Sequence, residues 1–174
     1  MIVILGMAGA GKSTQCKLLS KDGYFQWLPV GQILRDLESG ADKLEMMMGK
    51  VLDDKKVTPV VRDKIAELGD SPELILDGCP RTENQAIWLA EHTETPLVRL
   101  VIHLKIEDDV AIERLLKRGR EDDSEDAIKV RMSGYHRDIG SVLSIFNDYG
   151  IKIVEIDASQ SVDDVQSEIR RIIS

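Results

Sequence analysis

Short apolar runs alternate along this chain with longer stretches in which apolar residues recur every three or four positions. Ile2–Leu5, Leu74–Leu76, Leu100–Leu104 and Ile151–Ile156 are β-branched or leucine-rich with few charges, the form of strands buried on both faces of a parallel sheet. Tyr24–Leu28 is more polar and fits an edge strand. Helical periodicity marks Lys12–Ser20, Gln32–Leu37, Val60–Leu68, Gln85–Glu91, Asp108–Lys117, Asp126–Asp138 and Val162–Ile173. The last sets Val162, Val165, Ile169 and Ile172 on one face and opens with Ser161 three residues before Asp164, a capping-box-like start. Repeated strand–helix units joined by right-handed crossovers predict an α/β three-layer sandwich around a five-stranded parallel sheet.

Two stretches break that rhythm. Residues 30–68 hold two or three helices with no strand between them, which predicts a helical insertion, and residues 118–124 form a charged connection. No repeat, low-complexity tract or Pro/Gly-rich linker separates them from the rest. With 174 residues, enough for one well-buried core, the expectation is a single domain over 1–174, its core at 1–29, 69–117 and 125–174.

Composition narrows the partners. A formal charge of −8 argues against a nucleic-acid coat, which needs a basic surface to release counterions. No apolar run approaches the ~20 residues that cross a bilayer. The chain opens on strand-like MIVIL without a basic leader, and its two cysteines, Cys16 and Cys79, form no CxxC pair. The expectation is a cytoplasmic monomer with reduced thiols, no zinc, and neither nucleic-acid nor membrane partners.

The chemistry begins at Gly6–Thr14. Gly6-Met7-Ala8-Gly9-Ala10-Gly11-Lys12-Ser13 fits G-x-x-x-x-G-K-[ST], after one predicted strand and before a predicted helix. Small residues there let backbone N–H groups of Gly9, Ala10, Gly11, Ser13 and Thr14 converge on phosphate oxygens, with the helix dipole behind them. Lys12 would reach the β- and γ-phosphates, and the Ser13 hydroxyl would ligate Mg²⁺. Leu74-Ile75-Leu76-Asp77 is an apolar strand ending in a carboxylate, suited to holding the same Mg²⁺ through water. Together they predict binding of ATP with Mg²⁺.

Asp77-Gly78-Cys79-Pro80-Arg81-Thr82 resembles the D-G-F-P-R-x signature of adenylate kinases and related nucleoside monophosphate kinases. Further segments are similar in the family's order: Gln15-Cys16 after the P-loop, Val30-Gly31-Gln32-Ile33-Leu34-Arg35, Arg114-Leu115-Leu116-Lys117-Arg118-Gly119, and Arg120-Glu121-Asp122-Asp123 through Arg131. The resemblance implies a P-loop fold whose insertion at 30–68 binds a monophosphate and whose lid at 118–124 is very short. It implies that Arg35 and Arg81 clamp the acceptor's phosphate, guanidinium forks being suited to phosphate oxygens. Val30, Gly31, Gly78 and Val57 would line the acceptor, Val57 through its backbone, and Gln85 would read an adenine edge. Arg114 would lie over the donor base, while Arg118, Arg120 and Arg131 would close on the transferring group, oriented by Asp122 and Asp123.

Departures fall on the acceptor side. The family's threonine is Val30 here, a neighbouring aspartate is Gln32, and the aromatic of the signature is Cys79. The resemblance thus implies Mg-dependent transfer of the γ-phosphoryl group of ATP to a nucleoside monophosphate, AMP first, with UMP, CMP or a deoxynucleotide as alternatives. A P-loop kinase for a small metabolite and a nucleotide-binding module without turnover are the other readings; a GTPase is disfavoured because no N-K-x-D motif is present. An anionic acceptor needs no general base, so His92, His103 and His136 have no expected catalytic role. Met46-Met47-Met48, Trp27 and Trp88 read as packing residues.

Overall fold

The computed structural model of the chain describes residues 1–69, 73–91, 93 and 97–174. Its sheet is built from β1 (Ile2–Gly6), β2 (Phe25–Pro29), β3 (Glu73–Asp77), β4 (Leu100–Lys105) and β5 (Lys152–Asp157). All pairings are parallel, in the order β2-β3-β1-β4-β5. The helices are α1 (Lys12–Leu19), α2 (Val30–Leu37), α3 (Gly40–Met47), α4 (Asp54–Leu68), α5 (Glu83–Glu91), α6 (Asp108–Arg118), α7 (Glu125–Asp148) and α8 (Val162–Ile173).

Period-two alternation places successive strand residues on opposite faces of the sheet. Val3, Leu5, Leu76 and Val101 meet α2, α4, α5 and α7 through Leu34, Val61, Leu89 and Phe146. Ile2, Ile4, Ile75 and Ile102 meet α1 and α8 through Leu19, Val165 and Ile169. A smaller cluster of Met7, Ala111, Leu115, Ile128 and Met132 joins the P-loop to α6 and α7. The expected three layers are present. The polar run near Tyr24–Leu28 is an edge strand, β2, one residue later than expected. The run at Ile151–Ile156 corresponds to the other edge, β5, and is half-exposed rather than buried on both faces.

Residues 30–68 form three helices without a strand. α4 starts earlier than its periodicity suggested because Asp53 caps it, accepting from the Lys55 amide at 2.8 Å; it runs through Pro59. α7 extends ten residues past the expected end at Asp138. Gly134 and Gly140 weaken the local signal, but Val142 and Phe146 bury an apolar face against the core, and packing decides the length. Ser161 caps α8 as expected, accepting from the Asp164 amide at 3.2 Å. Among the described residues no helix is long and apolar enough to cross a membrane.

The sheet order fixes where a ligand sits. β1 connects outward past β3 to β2, and β3 connects back past β1 to β4, so the connections leave in opposite directions across the sheet at β1 and β3. In open parallel sheets the crevice at that point, beyond the carboxyl ends of the strands, receives the ligand. Gly6 and Asp77 end those two strands.

Candidate functional site

A cleft of about 1170 Å³ opens at this point. The P-loop forms its floor between β1 and α1. Gly9 has φ +90°, and a β-carbon there would stand 2.7 Å from the Ala111 carbonyl oxygen; only glycine lets the loop lie so close to α6. Gly11 caps α1 at φ 86° with no side-chain cap, so the first amides of the helix face the cleft unoccupied by a side chain. Gly9, Ala10, Gly11, Lys12, Ser13 and Thr14 all line it.

Lys12 folds over the loop and donates to the carbonyls of Gly6 at 2.7 Å and Met7 at 2.9 Å. Loss of water lowers its pKa to about 8; Asp77 opposes the shift, while Arg81 and Arg118 add to it. The ammonium is therefore short of negative charge, which a phosphate would supply. Ser13 Oγ donates to Asp77 Oδ2 at 2.7 Å, and Trp27 Nε1 donates to the same oxygen at 3.3 Å. Ser13 and Asp77 are the hard oxygen donors that magnesium takes. One carboxylate suits an ion that draws most of its ligands from phosphate and water. Among the described residues no group of three His, Cys, Asp or Glu forms a dedicated cage.

Facing the P-loop are Arg35 on α2 and Arg81 after β3. Their guanidiniums converge over Gly31: a β-carbon built there would lie 3.3 Å from Arg81 Nη2 and 3.7 Å from Arg35 Nη1. Arg81 is held by the Gly78 carbonyl at 2.9 Å from Nε. Arg35 donates from Nη2 to Gln32 Oε1 at 3.1 Å, so Gln32 orients this arginine. Burial, then the nearby Arg120 charge, lowers the Arg35 pKa, against the pull of Asp122.

The third wall comes from the end of α6 and the start of α7. Gly119 stops α6 at φ 63° and turns the chain back. Arg118 makes a bidentate pair with Asp123 at 2.8 and 2.7 Å, and Arg131 Nη1 donates to Asp123 at 3.1 Å. Burial works to raise the Asp123 pKa, but these bonds hold it below the usual range. Arg131 Nη2 stands 3.6 Å from Asp122, and its Nε and Nη2 are buried without a hydrogen-bond acceptor. Buried donors left unpaired at a cleft wall are what an arriving anion would satisfy. Arg120 also lines the cleft. Arg114 donates to the carbonyls of Ala158 at 2.9 Å and Ser159 at 3.5 Å, at the cleft's other end.

The structure thus brings together the phosphate-directed residues expected from sequence. It changes the acceptor-side assignments. Val30 is 2 % exposed and packs in the core, so it lines no part of the cleft. Val57 is 4 % exposed, and its amide is taken by the Asp53 carbonyl at 3.1 Å inside α4; the non-helical backbone beside the cleft runs through Lys50 and Val51. Cys79 points into the core and toward Gln85 Oε1 at 3.5 Å, and burial lifts its pKa to about 12, so the thiol is inert.

Of the packing residues, Met46 and Trp88 fit, whereas Met47 and Met48 are exposed. Trp27 was not legible as part of the site. Its indole reaches Asp77 because Trp27 pairs with Ile75 and Pro29 with Asp77, placing Trp27 on the face of the sheet that Asp77 shares. His103 in β4 is buried, contacting Tyr135 Oη at 2.6 Å and Glu155 at 3.3 Å. Burial keeps its pKa low. His136 pairs with Asp108 at 2.9 Å, outside the cleft. His92 lies outside the described residues.

A family model described as adenylate kinase matches residues 4–151 of the chain. The adenylate kinase of Prochlorococcus marinus strain MIT 9301 is 35 % identical over 179 residues, 98 % of this chain and 96 % of that protein. The adenylate kinase of Corynebacterium urealyticum is 33 % identical, covering 94 % of this chain and 93 % of its own. Adenylate kinase 1 of Nostoc sp. is 30 % identical, with coverage of 97 % and 96 %.

Proposed function

The chain belongs to the adenylate kinase family, and from that premise we propose that it transfers the γ-phosphoryl group of ATP to AMP, giving two ADP. The observation that carries this reading is the pair of opposed cationic walls in one cleft, Lys12 in the P-loop on one side and Arg35 with Arg81 over Gly31 on the other. One wall fits a triphosphate donor and the other an anionic acceptor.

In this reading residues 30–68 form the acceptor arm and 118–124 the lid. Gly9–Thr14 cradle the donor phosphates, and Arg114 borders its base. An oxygen of the AMP phosphate forms a bond to the γ-phosphorus as the bond from that phosphorus to the β–γ bridging oxygen breaks, its electron pair leaving with ADP. The attacking oxygen is already anionic, so no side chain removes a proton. Lys12, Arg81, Arg118, Arg120 and Arg131 offset charge on the transferring group, and Asp123 holds two of them in place before the substrate arrives. Bound magnesium would neutralise charge on the β- and γ-oxygens, held by Ser13 and by Asp77, the latter through water. Asp122 and Asp123 act through the arginines rather than on the nucleotide.

The molecule is read as a cytoplasmic monomer that works on free nucleotides. The test is a transfer panel: purified chain, Mg·ATP and each monophosphate in turn, with elution volume recorded alongside. ADP formation fastest with AMP is expected. Activity confined to a pyrimidine monophosphate would overturn the acceptor. ATP binding without any transfer would leave a nucleotide-binding module.

A further inference from the structure

Asp54, on the first turn of α4, reaches from the helical insertion to the start of α5. Its Oδ1 accepts from Thr82 Oγ1 at 2.9 Å and from Gln85 Nε2 at 2.8 Å, and its Oδ2 accepts from Asn84 Nδ2 at 3.1 Å. A carboxylate beside a phosphate-binding site works against anion binding, so its benefit lies elsewhere. What it does locally is fix Gln85.

A carboxamide is nearly symmetric in shape, and its orientation follows from its partners. The Asp54 carboxylate only accepts and the Arg81 backbone N–H only donates, the latter to Gln85 Oε1 at 2.8 Å. Nε2 must therefore face Asp54, and Oε1 must face Arg81. The remaining lone pair of Oε1 faces the Cys79 thiol at 3.5 Å. One N–H of Nε2 is then the unused hydrogen-bonding capacity of the side chain. Gln85 is 1 % exposed. It lines a narrow recess beside Arg81 with Leu34, Val51, Leu52, Val57 and Gly78.

We propose that Asp54 sets the choice of acceptor base by holding Gln85 as a hydrogen-bond donor only. The proposal rests on reading residues 30–68 as the acceptor arm and Gln85 as facing the base. A base presenting its pairing edge must then offer an unprotonated ring nitrogen. Adenine N1 and cytosine N3 do so. The N1–H of guanine and the N3–H of uracil set donor against donor and leave both unpaired in a buried recess, which costs binding. Selectivity is thereby fixed without Val30 or Gln32. Asp54 is a positioning residue: it touches Gln85 and not the nucleotide.

Calorimetric binding of AMP, CMP, UMP and GMP to the full chain tests this, with transfer rates from Mg·ATP measured in parallel. CMP against UMP is the sharpest pair, since the two pyrimidines match in size and differ on the edge in question. The wild-type chain is expected to bind CMP at least about tenfold tighter than UMP, and AMP at least about tenfold tighter than GMP. Asp54→Ala removes the acceptor that fixes Nε2 and leaves the carboxamide anchored only through Oε1 on the Arg81 amide. Its free N–H is then no longer held toward the base, so the CMP:UMP ratio should fall to within about threefold while ATP binding is unchanged. Asp54→Asn keeps Oδ1 as an acceptor for Nε2 and should restore most of the ratio. A purely structural Asp54 would lower thermal stability in Asp54→Ala and leave the ratio intact, which overturns the proposal, as would a wild-type ratio of about one. Should Asp54→Ala not fold, Gln85→Leu removes the same donor and must collapse the ratio. Absence of transfer with every monophosphate would defeat the functional reading, while the binding ratios would still decide the role of Asp54.

Discussion

The Oδ2 oxygen of Asp122 lies 3.8 Å from Nη1 of Arg35, so an acid in the connection after α6 partly neutralises an arginine of the helical insertion across the cleft. The same oxygen is 3.6 Å from Arg131 Nη2. Asp122 occupies, with its own charge, the space between two guanidiniums that a phosphate would share. In the proposed reaction, acceptor binding at Arg35 would displace that contact. Asp122→Asn should lower the Kd for AMP by about two- to fivefold, because a partly exposed pair of this length contributes no more than about 1 kcal/mol. It should also reduce kcat, since Arg131 loses part of its anchoring. Unchanged AMP affinity in a calorimetric titration would remove Asp122 from competition with the acceptor.

Arg81 approaches Gly31 as a planar fork anchored through Nε. A lysine there keeps the charge but loses both the anchor and the bidentate geometry. Arg81→Lys should therefore raise the acceptor KM and cut kcat/KM by about a hundredfold. Arg81→Ala should fall further, with ATP affinity little changed in both. A lysine variant as active as the parent would show that charge alone suffices.

Lys12 sets a pH dependence for donor binding. Its pKa in the free protein is lowered to about 8, chiefly by loss of water. A triphosphate stabilises the charged ammonium and raises that value. Below pH 8 the lysine is already protonated and contributes no slope. Above it, binding must take up a proton, so ATP affinity should fall by up to about tenfold per pH unit until the pKa of the complex is reached. Titrations in buffers of different ionisation enthalpy should show proton uptake at pH 9 and little from this group at pH 7. Equal uptake at both would place the Lys12 titration elsewhere, and Lys12→Ala should abolish the difference.

Trp27 and Ser13 both donate to Asp77 Oδ2, which fixes the orientation of the carboxylate. Trp27→Phe keeps the ring and removes the N–H. The magnesium concentration for half-maximal activity should rise about tenfold, the usual cost of losing a group that orients a metal-binding residue. The part of the tryptophan fluorescence response to Mg·ATP due to Trp27 should vanish. A variant with unaltered magnesium dependence would reduce Trp27 to packing.

Much of this was readable before any coordinates. The P-loop is a contiguous backbone motif, and the glycines at Gly9 and Gly11 that make it work do so through their own φ angles. The strand ending in Asp77 is likewise local, so periodicity carried it, whereas Arg114 and Arg118 were reached through resemblance to a family. Val57 was expected to meet the acceptor through its backbone, but its amide is bonded inside α4 and it reaches the recess beside Gln85 only as a lining residue; local sequence does not say which amides a helix will take. α7 ran long because Phe146 finds its partners across the core rather than along the chain.

Resemblance to a family placed the series of arginines, whereas sequence by itself determined that strands and helices alternate and that a phosphate-loop motif joins Ile2–Leu5 to Lys12. These follow from side-chain periodicity and backbone freedom, which neighbouring residues set. Only the tertiary structure decided what each polar group faces. Asp54 meets Gln85 from 31 residues away, Ser13 meets Asp77 from 64, and Asp122 meets Arg35 across an open cleft. The direction of a hydrogen bond depends on the partner's chemistry and position, and chain folding, not local sequence, supplies the partner.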